Sequence, residues 1–230
     1  MHVRNHRGPN GRQFWMASNR RAATVIDIVF EACVESLDEA REAAAWGADR
    51  VELCIDLAHD GCTPPRLLVA ECVAVGIPVI AMVRPRRGDF VYTRAEIDVM
   101  CDSVHDLAAC GAAGFATGAL RHENQIDIAA MARLVAAAGA LPVTFHRAFD
   151  QLGNADDALE TLVELGVRRV LTSGGAVRAV DGVDALRRLV DRAAGRIEII
   201  AAGGIRSINV DRIVAVTGVP AVHARWSAWR

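Results

Sequence analysis

Seven times along this chain a helix-like stretch ends at a glycine and a short β-rich run follows at once. Gly47 precedes ADRVELC, Gly76 precedes IPVIAMVRP, Gly111 precedes AAGFATGAL and Gly139 precedes ALPVTFHR. Gly166, Gly195 and Gly218 precede VRRVLTSGG, RIEIIAAGG and VPAVHA. A glycine just past a helix end takes the left-handed conformation that closes the last turn. Each of these glycines therefore marks a helix-to-strand junction, and TVIDIVFEAC ahead of the first helix brings the strands to eight. Between them lie helical patterns over 36–46, 64–75, 93–110, 126–138, 155–165, 181–193 and 207–217, with Leu159, Leu162, Val163 and Leu165 on one face. Ser36 with Glu39 forms a capping-box pattern, and Asn154 and Ser207 stand at N-cap positions. Strict β/α alternation requires a parallel sheet with right-handed crossovers. Eight such units predict an α/β fold, the (β/α)8 TIM barrel, in one domain over 25–230; an open doubly wound sheet is the alternative.

Two ends of the chain stand apart from this repeat. Only RWSAWR follows the eighth strand, so the barrel is expected to lack its eighth helix. The bare flank then needs a cover, from the N-terminal segment or from a second copy, and a homo-oligomer is expected. Residues 1–24 carry five arginines and no acid, with no apolar signal region. They read as a basic, poorly ordered extension, with Met16 as an alternative initiator.

Side chains alternate between the faces of a strand. The face toward the helices must be apolar, so the polar partners point into the barrel. This puts Glu31 and Cys33, Glu52 and Cys54, Met82 and Arg84, Thr144 and His146, Thr172, and His223 inside, with Thr117 near the end of the fourth strand. Glu31, Glu52, Arg84, His146 and His223 all lie toward the C-terminal strand ends, where barrel enzymes place their sites. Isolated buried charges are costly, so these groups must pair or meet a ligand. The competing reading is a filled barrel whose carboxylates are neutralised by Arg84.

Three chemistries are open to this set. The element Glu-x-Cys occurs twice, at Glu31–Cys33 and Glu52–Cys54, on strands about 4.8 Å apart. Two converging thiolates suit a soft ion such as Cu(I), although cysteine is also a common small core residue. An enzyme acting on a small anionic metabolite would use His146 and Glu52 as acid and base, with Arg84 and Arg147 as the clamp. The glycine turns Thr172–Ser173–Gly174–Gly175 and Gly203–Gly204 can present backbone N–H groups to an anion, or serve only as tight turns.

Composition removes other classes. All 26 basic residues are arginine, so Schiff-base lysine chemistry and a P-loop lysine are excluded and no nucleotide cofactor is expected. A formal net charge of −2 argues against a nucleic-acid partner, and no apolar run is long enough for a membrane span. Six cysteines, none in C-x-x-C spacing, point to reduced thiols and a cytoplasmic location.

The motifs GADRVELC, RPRRGDF, PVTFHRAFD and RVLTSGG, in this order and spacing, resemble the CutC family, named for copper homeostasis. The resemblance covers about residues 28–224. It implies a (β/α)8 barrel, often oligomeric, cytoplasmic, with a copper-binding role. The family's candidate copper thiolates match Cys33 and Cys54. Its polar mouth residues match Glu31, Glu52, Arg84, Arg86, Asp89, His146, Arg147, Asp150 and His223. The chain departs from the pattern at Arg87 and Asp60, where glycine is usual, at the additional Cys62, and at Arg225, where serine is usual. The family's C-terminal tail and last helix are absent.

Overall fold

The computed structural model describes residues 28–229, together with the backbone of residues 6–7, 13–16 and 25–26. All seven junction glycines have positive φ; Gly47, at 105°, donates its N–H back to the carbonyls of Ala43 and Ala44. The next strand begins after two or three further residues. Strands β1 (Val29–Val34), β2 (Arg50–Leu53), β3 (Val79–Met82), β4 (Gly114–Thr117), β5 (Val143–Phe145), β6 (Arg169–Thr172), β7 (Glu198–Ala201) and β8 (Ala221–Arg225) result. All pair in parallel and close on themselves through β8 and β1, which excludes the open sheet. Helices α1 (Leu37–Trp46), α2 (Arg66–Val73), α3 (Arg94–Ala109), α4 (Ile128–Ala138), α5 (Ala155–Glu164), α6 (Val183–Ala193) and α7 (Val210–Thr217) cover the outside.

The main core lies between strands and helices. Phe30, Val51, Leu53, Val83, Phe115, Phe145, Val170 and Val222 point into it from the barrel wall. Inside the barrel are two smaller apolar groups. One contains Cys33, Cys54, Leu57, Ile80, Met82 and Ala116, and the other contains Leu171, Ile200, Ala202 and Ala221. Ala116 and Leu171 thus hold the interior positions on β4 and β6. Thr117 and Thr172 lie one residue on and face away from the barrel axis; the Thr117 hydroxyl donates to the Val83 carbonyl at 2.9 Å.

Helix ends agree with the sequence in part. Ser36 accepts from the Glu39 N–H at 3.2 Å, but the Glu39 carboxylate takes the N–H of Glu35, one residue outside the expected box. Asn154 caps α5 through the N–H groups of Asp156 and Asp157. Helix α7 begins later than expected. Asn209 precedes it, and Ser207 lies in the turn before.

The eighth helix, expected to be missing, is present as a single turn, α8 (Trp226–Trp229). Four residues suffice because two of them are tryptophans. Trp229 stands 4.5 Å from Phe30 and 5.6 Å from Trp46 between ring centroids, and Trp226 stands 6.0 Å from Trp46. The Trp226 indole N–H donates to Glu42 at 3.0 Å. Both rings are buried, so the chain's own end covers the β8–β1 flank. Ahead of the barrel, His6–Arg7, Gln13–Met16 and Val25–Ile26 pair as a three-stranded antiparallel sheet. The expected disorder of residues 1–24 and the role of Met16 otherwise lie outside the described residues.

Candidate functional site at the barrel mouth

The register of β8, β1 and β2 sets His223 beside Glu31 and Glu31 beside Arg50. Arg50 Nε donates to Glu31 at 2.5 Å and its Nη2 donates to Glu198 at 2.7 Å; Arg169 stands 3.6 Å from the same Glu198 oxygen. The charges at the base of the barrel are therefore neutralised by Arg50, not by Arg84. His223 Nδ1 lies 2.8 Å from Glu31 and 3.2 Å from Glu52, one layer higher. Burial pushes the Glu31 carboxyl up, but the His223 hydrogen bond and the Arg50 charge outweigh it and hold the group at about 2. Glu52 lacks that direct arginine contact. Burial, reinforced by the Glu31 charge and opposed by His223, raises it to about 7. Burial alone would neutralise His223; the Glu52 charge and the ring's own hydrogen bonds with Cys33 and Glu31 instead carry it well above the ordinary histidine value.

The two cysteines meet at the top of this column. Cys33 Sγ and Cys54 Sγ are 3.8 Å apart, both buried. Their mutual contact and then burial raise the Cys33 thiol, and His223 acts against them. The ligand atoms of Cys33, Glu52 and His223 all lie within 4.8 Å of one another. The doubled Glu-x-Cys pattern therefore does converge.

Above the cysteines a cavity of about 590 Å³ opens at the C-terminal face. Cys33, Glu52 and His223 form one wall; His146, Arg147, Asp150, Gly203, Gly204, Arg206 and Arg225 also line it. His146 is buried beside Phe90, ring centroids 4.8 Å apart. Burial, and then the Arg84 charge, lower it to about 3, so the ring is neutral. Gly118 makes room for it, since a Cβ there would stand 2.7 Å from two ring atoms. Asp60 also lines the cavity, in the left-handed conformation at φ 68°, which suits the glycine expected there.

Other expected residues have different work. Asp150 accepts from the Thr172 hydroxyl at 2.5 Å, the Ser173 N–H at 3.0 Å and the Gly175 N–H at 3.1 Å. The Thr172–Gly175 turn thus already holds an internal carboxylate where an external anion was expected, and Thr172 and Ser173 stand behind the cavity wall. Arg147 pairs with Asp150 at 2.9 Å and reaches Ser173 Oγ at 3.1 Å. Arg84 is turned to the loop carbonyls of His59, Gly61 and Gly88. Arg86 binds Glu96, Asp89 and the Val91 carbonyl. Arg84, Arg86 and Asp89 organise the rim and are not part of the cavity lining. Arg50 and Glu198 were missed by sequence reasoning, although the alternation that turns Glu52 inward turns Arg50 inward as well.

The sequence profile of the CutC family matches residues 28–228, a span that contains every group of this column. The chain belongs to the CutC family. The family protein CutC of Caulobacter vibrioides is 42% identical over 196 residues, covering 85% of this chain and 80% of that protein. The human copper homeostasis protein cutC homolog is 41% identical over 204 residues, covering 88% and 75%. The crystal structure of a CutC protein from Streptococcus agalactiae has 32% identity and a TM-score of 0.81, covering 85% and 97%. A deoxyribose phosphate aldolase from Aeropyrum pernix, 16% identical with a TM-score of 0.63 and covering 88% and 87%, shares the barrel alone.

Proposed function

We propose that this chain binds Cu(I) through Cys33 and Cys54 and serves copper homeostasis. The observation that carries the reading is the 3.8 Å separation of the two sulfurs. With metal–sulfur bonds of about 2.3 Å, two sulfurs sharing one three-coordinate ion stand about 4 Å apart. The donor set is soft, as Cu(I) prefers. Cys33 also shares a cluster with Glu52 and His223, whose ligand atoms lie within 4.8 Å of one another, and that cluster offers candidates for a third ligand. The names borne by the human and mouse relatives, copper homeostasis protein cutC homolog, support the same role.

Binding must displace thiol protons, because the thiolate is the ligand. Glu52, raised to about 7 and in the same cluster as Cys33, is a group able to take one. Free vicinal thiols of this kind need a reducing compartment, which agrees with a cytoplasmic location.

Anaerobic competition against a chromophoric Cu(I) chelator tests the reading. Cys33→Ser/Cys54→Ser is expected to lose at least about 100-fold in affinity, roughly 2.7 kcal/mol. Equal affinity in variant and wild type would overturn it.

A further inference from the structure

A cavity of about 590 Å³ is far larger than one metal ion needs. It falls in the size range of small-molecule sites, about 300–1,000 Å³. Its walls show what such a molecule would carry. His146 is 3% exposed, and its Nε2 has no hydrogen-bond partner among the described residues. Its Nδ1 accepts the Ala148 N–H at 3.3 Å. A neutral imidazole that accepts at Nδ1 carries its proton on Nε2. The ring therefore offers a buried N–H donor with nothing to receive it, and buried donors left unpaired are rare.

The cavity wall also carries charge to spare. Arg147 is committed to Asp150, but Arg206 and Arg225 are not. Arg206 donates to the Ile205 carbonyl and Arg225 to the Leu57 carbonyl, and neither has a carboxylate partner among the described residues. A main-chain carbonyl fixes a guanidinium without neutralising it.

We infer that the cavity binds a small organic oxyanion, a carboxylate or phosphate ester, with one oxygen accepting the His146 Nε2–H bond and the anionic group facing Arg206 and Arg225. A guanidinium pairs with either anion through two parallel N–H bonds. This ligand is separate from copper, and its site needs neither cysteine. His146 acts as a fixed donor here, held in place by Phe90, the Ala148 N–H and the space left by Gly118.

The test uses full-length Cys33→Ser/Cys54→Ser protein without metal, so that its failure is distinct from failure of the copper reading. Inorganic phosphate, 2-phosphoglycolate and oxalate are the probes, with glycolamide as the uncharged control. Binding is followed by calorimetry and by nitrogen NMR of the histidine rings. 2-Phosphoglycolate or oxalate is expected to bind and to shift the His146 Nε2–H resonance, whereas glycolamide does neither. Adding Arg206→Gln/Arg225→Gln should weaken binding at least about tenfold. His146→Gln, which keeps a side-chain N–H donor, should retain more affinity than His146→Leu. The inference is overturned if neither organic probe binds at millimolar concentration, if the arginine pair can be removed without loss, if binding leaves the His146 resonance unmoved, or if the His146 proton resides on Nδ1. Should His146→Leu not fold, the NMR and the arginine pair still decide.

Discussion

Glu31 and Glu52 are both buried in the same barrel with His223 between them, yet their carboxyls are driven in opposite directions. The His223 hydrogen bond and then the Arg50 contact, both made to Glu31, account for the difference. Glu31, held at about 2, contributes stability that is present above the ordinary carboxylate value of 4.5 and is lost as pH falls toward 2. Glu52, raised to about 7, binds a proton in the folded state that the unfolded chain has already released, so its contribution declines as pH rises from 4.5 through 7. His223 has the same sign: its contribution is present below 6.5 and is lost as pH rises through its elevated value. Glu52→Gln should therefore flatten the fall in unfolding free energy, measured by urea denaturation between pH 5 and pH 8, by up to roughly 3 kcal/mol. Parallel slopes in variant and wild type would refute this account. Most of this cluster was legible from alternation alone, which turned Glu31, Cys33, Glu52, Cys54 and His223 inward. The partner was not, because Arg84 and Arg50 both have the right parity. Only the three-dimensional reach of the side chains shows that Arg84 is taken by the carbonyls of His59, Gly61 and Gly88.

At the scale of elements, periodic patterns located the strands and helices, and the misses came where pattern length was the guide. WSAWR is too short to look like a helix. Its cover comes from aromatic area, since two tryptophans bury as much surface as a longer run of alanines and valines. Trp229 sits against Phe30 on β1 and Trp46 on α1, and so ties the chain end to the first βα unit. Trp229→Ala should cost about 3–5 kcal/mol, the range for removing a large buried aromatic side chain. A change below about 1 kcal/mol in chemical denaturation would show that α8 is dispensable. Thr117 and Thr172 teach a second lesson. Each lies one residue from an interior position, and a one-residue slip in a strand exchanges its faces. Ala116 and Leu171 gave no sequence signal of facing inward, because either face of a barrel strand accepts an apolar side chain.

For the whole molecule, the fold was legible because the glycine junctions fix where each strand begins, and eight parallel strands of this spacing have few ways to close. The expectation of self-association rested on a bare β8–β1 flank. Trp226 and Trp229 cover that flank, which removes the ground for that expectation. The barrel interior is closed at its inner end. Beneath the cavity it is filled by Leu171, Ile200 and Ala221 and by the ion pairs of Arg50 with Glu31 and Glu198. The mouth is therefore a blind shaft, with Cys33 in its wall and the oxyanion berth sharing its one opening. A shaft with one opening couples its occupants: an ion at Cys33 leaves by the same route that the larger guest fills. Release of Cu(I) to a chelator should slow when 2-phosphoglycolate is bound, and should return to its free rate in Arg206→Gln/Arg225→Gln, which keeps both cysteines but loses the upper guest.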